Sequence, residues 1–155
     1  MSKIIYVDMD DVLCQFSARS QAIKSKYPEV PYPQSHYGFF SGLDPMPGAL
    51  EGIKRLSELE GFEIYILTAP SVWNPLCYTE KRVWVEKHLG MRMVNRLIIS
   101  PNKGLNRGDY LIDDHLEGRG QENFEGKLLH FGSDAFPNWE SVLNYFQSKY
   151  VLAGA

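Results

Sequence analysis

The sequence predicts an α/β fold: a three-layer α/β/α, Rossmann-like parallel sheet with a small helical or irregular cap inserted after the first strand. Three observations predict it. Short β-branched runs that read as buried strands alternate with helical stretches, the pattern of a parallel sheet with covered faces. A chain of 155 residues fits one domain over 1–155, with the cap at about 16–45. The distinctive polar residues stand just beyond the ends of the apolar runs, where open parallel sheets bind ligands.

Ile4–Val7 is the first strand, ending in the acidic cluster Asp8-Met9-Asp10-Asp11. Residues 12–27 are expected to be helical. The stretch 28–47 holds five prolines and reads as irregular. A helix follows from Pro47 to about Glu60, with Pro47 near its first turn and Gly61 as its stop. Phe62–Leu67 is the second strand, ending at Thr68-Ala69-Pro70. Asn74 and Pro75 suit the cap and start of a helix to Leu89, stopped by Gly90. Leu97–Ser100 is the third strand and Tyr110–Ile112 the fourth, and the link between them is too short for a full crossover helix. Leu128–Phe131 is the fifth, and Asn138 caps a last helix over 139–150.

Composition narrows the function. Net charge is -3 and there is no long Lys/Arg run, which argues against duplex nucleic acid or an anionic membrane as the main partner. A small phosphorylated substrate needs only a few local donors and stays open. The 2 cysteines, Cys14 and Cys77, have no metal-ligand spacing. With no signal-peptide pattern, and no apolar run near the ~20 residues of a membrane span, a cytoplasmic location is expected.

Four strand ends deliver chemistry to one edge. Asp8 and Asp10 follow strand one, Thr68 strand two, Lys103 strand three, and Asp113-Asp114 strand four. Converging carboxylates need a cation, since two unit charges ~4 Å apart repel by about 4 kcal/mol at an effective dielectric of 20. Oxygen-only ligands suit a hard ion such as Mg²⁺. Either Asp113 or Asp114 could supply the fourth strand's ligand. Thr68, backbone amides after Asp8 and Thr68, and Lys103 could hold phosphate oxygens. In the D-x-D spacing both carboxylates can face the same way: one attacks phosphorus, the other protonates the leaving oxygen and later activates water.

Asp8-Met9-Asp10, Leu67-Thr68, Lys103 and Gly108–Asp114 resemble, in order and spacing, the four motifs of the haloacid dehalogenase phosphatases. Within that superfamily VDMDDVLCQF (7–16), LDPMPGALEGIKRL (43–56), CYTEKRVWVEKHLG (77–90) and GDYLIDDH (108–115) are similar to the 5′(3′)-deoxyribonucleotidases. The resemblance implies Asp8 as nucleophile and Asp10 as acid/base. It implies Asp8, the Asp10 carbonyl and Asp114 as Mg²⁺ ligands, Thr68, Ala69 and Lys103 as phosphate ligands, and Phe16 with aromatics of 37–40, Phe40 among them, facing the base. Family members commonly carry Gly at the position of Asp11. Competing expectations are the same chemistry on another small phosphomonoester, or a phospho-acceptor signalling domain. In the latter the acidic pair would precede the acceptor; here it comes last.

Ordinary roles are assigned elsewhere. Trp84, Trp139 and Tyr145 are expected to pack in the core, as are Tyr37, Phe39 and Trp73. His36, His88 and His130 are scattered, and Cys14 and Cys77 are expected to be inert.

Overall fold

The computed structural model describes residues 1–153, with side chains described through 149. Five strands, β1 (Lys3–Val7), β2 (Phe62–Thr68), β3 (Leu97–Ile99), β4 (Tyr110–Asp113) and β5 (Lys127–His130), form one parallel sheet in the order β3-β2-β1-β4-β5. The helices are α1 (Phe16–Lys26), α2 (Ala49–Glu58), α3 (Cys77–Leu89), the short α4 (Met91–Val94) and α5 (Trp139–Ala153). The expected strands all form, shifted at their ends by one residue at most. No helix among the described residues is long and apolar enough to cross a membrane.

Strand order reverses at β1. Its successors β2 and β3 lie on one side, β4 and β5 on the other, which opens a crevice beyond the carboxyl ends of β1 and β4. The register sets Val7 beside Ile66 and Ile112, so Asp8 and Asp113 leave adjacent strands at one level.

Alternation along the strands divides the apolar residues. Ile5, Val7, Ile64, Ile66 and Ile112 join Ile53 and Leu56 of α2, Trp84 of α3 and Trp139 and Phe146 of α5 in the main core. Tyr6, Leu67 and Leu111 meet Phe124 in a smaller cluster. The β3–β4 and β4–β5 links carry only 3-10 turns, at Lys103–Leu105 and Gln121–Asn123, as the short link between strands three and four foretold. Gly52 of α2 allows the closest helix contact: a Cβ there would stand 2.3 Å from the Trp139 ring.

Both indoles also brace irregular backbone. Trp84 Nε1 donates to the Leu43 carbonyl at 2.8 Å, and Trp139 Nε1 to that of Val12 at 2.9 Å. They thereby fix the two ends of the segment between β1 and α2. The expected cap at Asn138 forms, its Oδ1 accepting the Ser141 amide at 3.0 Å.

Three expectations need correction. The helix expected from residue 12 begins at Phe16. The amides of Val12, Leu13 and Cys14 all donate to the Met9 carbonyl, and their fully buried side chains hold this knot against helix propensity. Asp11 makes the reversal, at φ 60°, a left-handed conformation. That explains why glycine suits the position. Asp11 compensates by accepting the Ser17 amide at 2.8 Å, in the first turn of α1. Second, α3 starts at Cys77; Asn74 accepts from Leu76 and donates to the carbonyls of Gln34 and His36, tethering that segment. Third, Tyr37 and Trp73 are 69% and 85% exposed, both on connecting segments that no sheet or helix face covers.

Candidate active site

A cavity of about 390 Å³ opens at the crevice, lined among others by Asp8, Asp10, Asp114, Lys103, Phe16 and Phe40. The strand ends thus bring together the residues singled out from the sequence. Ala69 also lines the cavity, whereas Thr68 lies wholly buried beneath it.

Lys103 is the pivot. It enters on the 3-10 turn after β3, where the Asn102 side chain accepts the Gly104 amide and the Lys103 amide donates to the Arg119 carbonyl at 2.7 Å. Its ammonium is buried, 2.8 Å from Asp8 Oδ1 and 2.5 Å from Asp113 Oδ2. Burial works against the charge, but Asp8 and Asp113 outweigh it and leave the Lys103 pKa above its ordinary value.

Asp113 and Asp114 differ in what their oxygens do. Asp113 is fully buried and taken up by the protein: Lys103 on Oδ2, the His115 amide on Oδ1 at 2.9 Å, and the Gln121 amide nitrogen 3.4 Å from both. Its pKa is raised by burial and by Asp8, against the pull of Lys103. Asp114 has no lysine. Its Oδ1 is buried without a hydrogen-bond partner, and Oδ2 lies 3.3 Å from His115 Nε2. Burial, then the Asp8 carboxylate beside it, pushes the Asp114 carboxyl up to about 9.

Carboxylate oxygens of Asp8, Asp113 and Asp114 lie within 4.8 Å of one another. An orphaned buried oxygen in an all-oxygen acidic set fits a divalent cation. Asp114 and Asp8 face that position best, because Lys103 already neutralises Asp113.

Asp10 stands two residues beyond Asp8 and is 28% exposed to the cavity. Burial and Asp8 raise its pKa, while a second lysine opposes them. That lysine, Lys81, is absent from the sequence reading. It is completely buried on α3, with Nζ 3.0 Å from Asp10 Oδ2 and 2.6 Å from Thr68 Oγ1. Asp10 leads the opposing charges that hold the Lys81 pKa up against burial. A signal was present: Cys77, Lys81, Trp84 and Val85 form one buried helical stripe, so Lys81 interrupts an apolar face. Gln121, also missed, is buried and bonds Asp113 from the β4–β5 link.

Phe16, Phe39 and Phe40 stack into one aromatic wall, with ring centroids 5.1–6.0 Å apart. Phe39 and Phe40 are core residues, yet Phe40 also lines the cavity.

Residues 30–139 match the family described as 5′ nucleotidase, deoxy (pyrimidine), cytosolic type C protein. A Vibrio phage KVP40 protein assigned to the 5′(3′)-deoxyribonucleotidases is 38% identical over 154 residues, spanning 94% of this chain and 85% of that protein. The cytosolic-type 5′(3′)-deoxyribonucleotidase of Homo sapiens is 31% identical, over 90% of this chain and 78% of that protein. Among solved structures, an HAD-family hydrolase from Deinococcus radiodurans R1, crystallised with bound phosphate and sodium, superposes with a TM-score of 0.56. It shares 12% identity over 93% of this chain and 87% of that one, so the likeness is one of fold.

The fold and the acidic crevice define a phosphatase of the haloacid dehalogenase superfamily. Within it, the chain belongs to the 5′(3′)-deoxyribonucleotidase family.

Proposed function

We propose that the protein is a Mg²⁺-dependent 5′(3′)-deoxyribonucleotidase that hydrolyses deoxynucleoside monophosphates through an aspartyl-phosphate on Asp8. The observation that carries the mechanism is the pairing of Asp8 with Asp10 at the switch point, the first held by a buried Lys103 and the second reaching the cavity. Asp8 attacks phosphorus, the P–O bond to the nucleoside breaks, and Asp10 gives its proton to the departing oxygen. Asp10 then takes a proton from water, whose oxygen attacks the aspartyl-phosphate, releasing phosphate and restoring Asp8. The raised pKa of Asp10 favours the protonated form that the first step needs. Lys103 and the amide after Thr68, that of Ala69, would hold phosphoryl oxygens. Mg²⁺, held by Asp8, the Asp10 carbonyl and Asp114, would neutralise charge on the carboxylates and on the transferring group. The 16–45 segment serves as the cap, its Phe16 and Phe40 facing the base.

A substrate panel tests this reading. With Mg²⁺, phosphate release from dUMP and dTMP should exceed that from ribonucleotides and sugar phosphates by about tenfold or more in kcat/KM, a difference within the reach of pocket contacts. Equal, slow release from all of them would assign the chemistry to another phosphomonoester.

Cation binding should be linked to pH. An unfolded Asp titrates near ~4, so between there and about 9 the cation-free native protein holds an Asp114 proton that the unfolded chain has lost. Stability without cation therefore falls as pH rises through that window. A cation must displace the proton, so its apparent affinity should climb by up to about tenfold per pH unit from pH 5.5 to 8.5. Calorimetric titration in buffers of different ionisation enthalpy would read the released proton. Affinity that stays flat across this range would remove Asp114 from the ligand set.

A further inference from the structure

Each carboxylate of the proposed pair has its own buried lysine. Lys103 lies on Asp8 and lines the cavity; Lys81 lies on Asp10 and does not. Lys81 therefore cannot act by touching substrate, and it needs another explanation. A fully buried ammonium on an apolar helix face is retained only where it is paired and hydrogen-bonded. Its contacts are specific: Asp10 Oδ2 at 3.0 Å, Thr68 Oγ1 at 2.6 Å, and the Phe40 ring centroid at 5.0 Å. The helix itself is anchored. Glu80 Oε1, one residue earlier, accepts from Ser41 N at 3.3 Å and Ser41 Oγ at 3.1 Å, next to Phe40.

We infer that Lys81 is a positioning residue for the acid/base: it clamps Asp10 by Oδ2 and leaves Oδ1 to exchange the proton with the leaving group and with water. The other oxygen is free for that task, since its one contact is the Cys14 thiol at 3.7 Å. Thr68, at the end of β2, and Phe40, from the segment before α2, fix the ammonium from the remaining sides. Three segments distant in sequence thereby set the angle of one carboxylate. Proton transfer needs that angle, because an acid must sit within hydrogen-bond reach of the departing oxygen.

This inference rests on the acid/base role proposed for Asp10, and leaving-group dependence separates the two. A nucleoside alkoxide needs a proton to depart, whereas 4-nitrophenolate does not. Lys81→Met keeps the stem and removes the clamp. In single-turnover experiments it should slow the first step on dUMP by about 100-fold, the size of a lost general acid, and that on 4-nitrophenyl phosphate by no more than about threefold. KM for dUMP should change by less than about threefold, since the substrate contacts are intact. A purely structural role would slow both substrates alike, and an equal loss overturns the inference. If Lys81→Met does not fold, as judged by circular dichroism, Lys81→Gln is read by the same criterion. Asp10→Asn run in parallel should show the same selectivity. Selectivity in Asp10→Asn but not at Lys81 sinks the positioning role alone; selectivity in neither removes the acid role on which it stands.

Discussion

Asp8→Asn is expected to lose at least about 10⁴-fold in kcat on deoxynucleotides while remaining folded, a loss on the scale seen when a catalytic nucleophile is removed. The substitution is nearly isosteric, so the argument is chemical. A carboxamide does not attack phosphorus to form an acyl phosphate. It also withdraws one of the three carboxylates that crowd within 4.8 Å. Their mutual repulsion is part of what raises Asp113 and Asp114, so removing Asp8 relieves both. Lys103 loses one partner but keeps Asp113 at 2.5 Å. Thermal stability in cation-free buffer should therefore equal or exceed that of the wild type, and Mg²⁺ should bind more weakly. Turnover assays and melting curves with and without Mg²⁺ read both halves. More than about 1% residual turnover would exclude Asp8 as the nucleophile, given the 10²–10⁴-fold that acid/base help alone contributes.

Most of this site was legible because a parallel sheet converts sequence order into spatial convergence. Once Ile4–Val7, Phe62–Leu67 and Tyr110–Ile112 read as buried strands, Asp8, Thr68 and Asp113 had to emerge at one edge. What escaped was set by contacts between distant segments. Lys81 looks like an ordinary helical lysine until Asp10, 71 residues away, is placed beside it. Gln121 gains its meaning only when the link after β4 folds back over Asp113. The turn at Asp11 was hidden because Val12 and Leu13 continue an apolar pattern, while the left-handed residue that breaks it carries no sequence mark as plain as glycine. Adjacent acids diverge for a related reason. Asp113 still belongs to β4 and pairs with His130 of β5, whereas Asp114 lies past the strand and keeps a free oxygen.

Lys103→Met tests the other half of the electrostatics, and its expected effects on activity and stability separate. The ammonium is 2% exposed and bridges Asp8 and Asp113, so removing it leaves two buried carboxylates facing each other. Breaking a buried ion pair by deleting one partner costs roughly 3–5 kcal/mol, and the loss of a preorganised charge at the transferring group costs about 10³-fold in kcat. The sign of the pH dependence follows from Asp113, whose pKa is already raised and would rise further without Lys103. The native variant then binds protons more tightly than its unfolded chain. Its stability deficit should be largest near pH 8 and shrink as pH falls and Asp113 is protonated. Mg²⁺ should restore part of the stability at pH 8 by replacing charge in the acidic cluster, but not the activity, because a cation on Asp8 and Asp114 does not occupy the place of the ammonium between Asp8 and Asp113. Melting curves from pH 5 to 8.5 with and without Mg²⁺, set beside kcat, distinguish the two roles. If Mg²⁺ restored turnover to within about tenfold of wild type, Lys103 would be a counter-charge for folding rather than a phosphate ligand, and the transition-state charge would have to be borne by the cation alone.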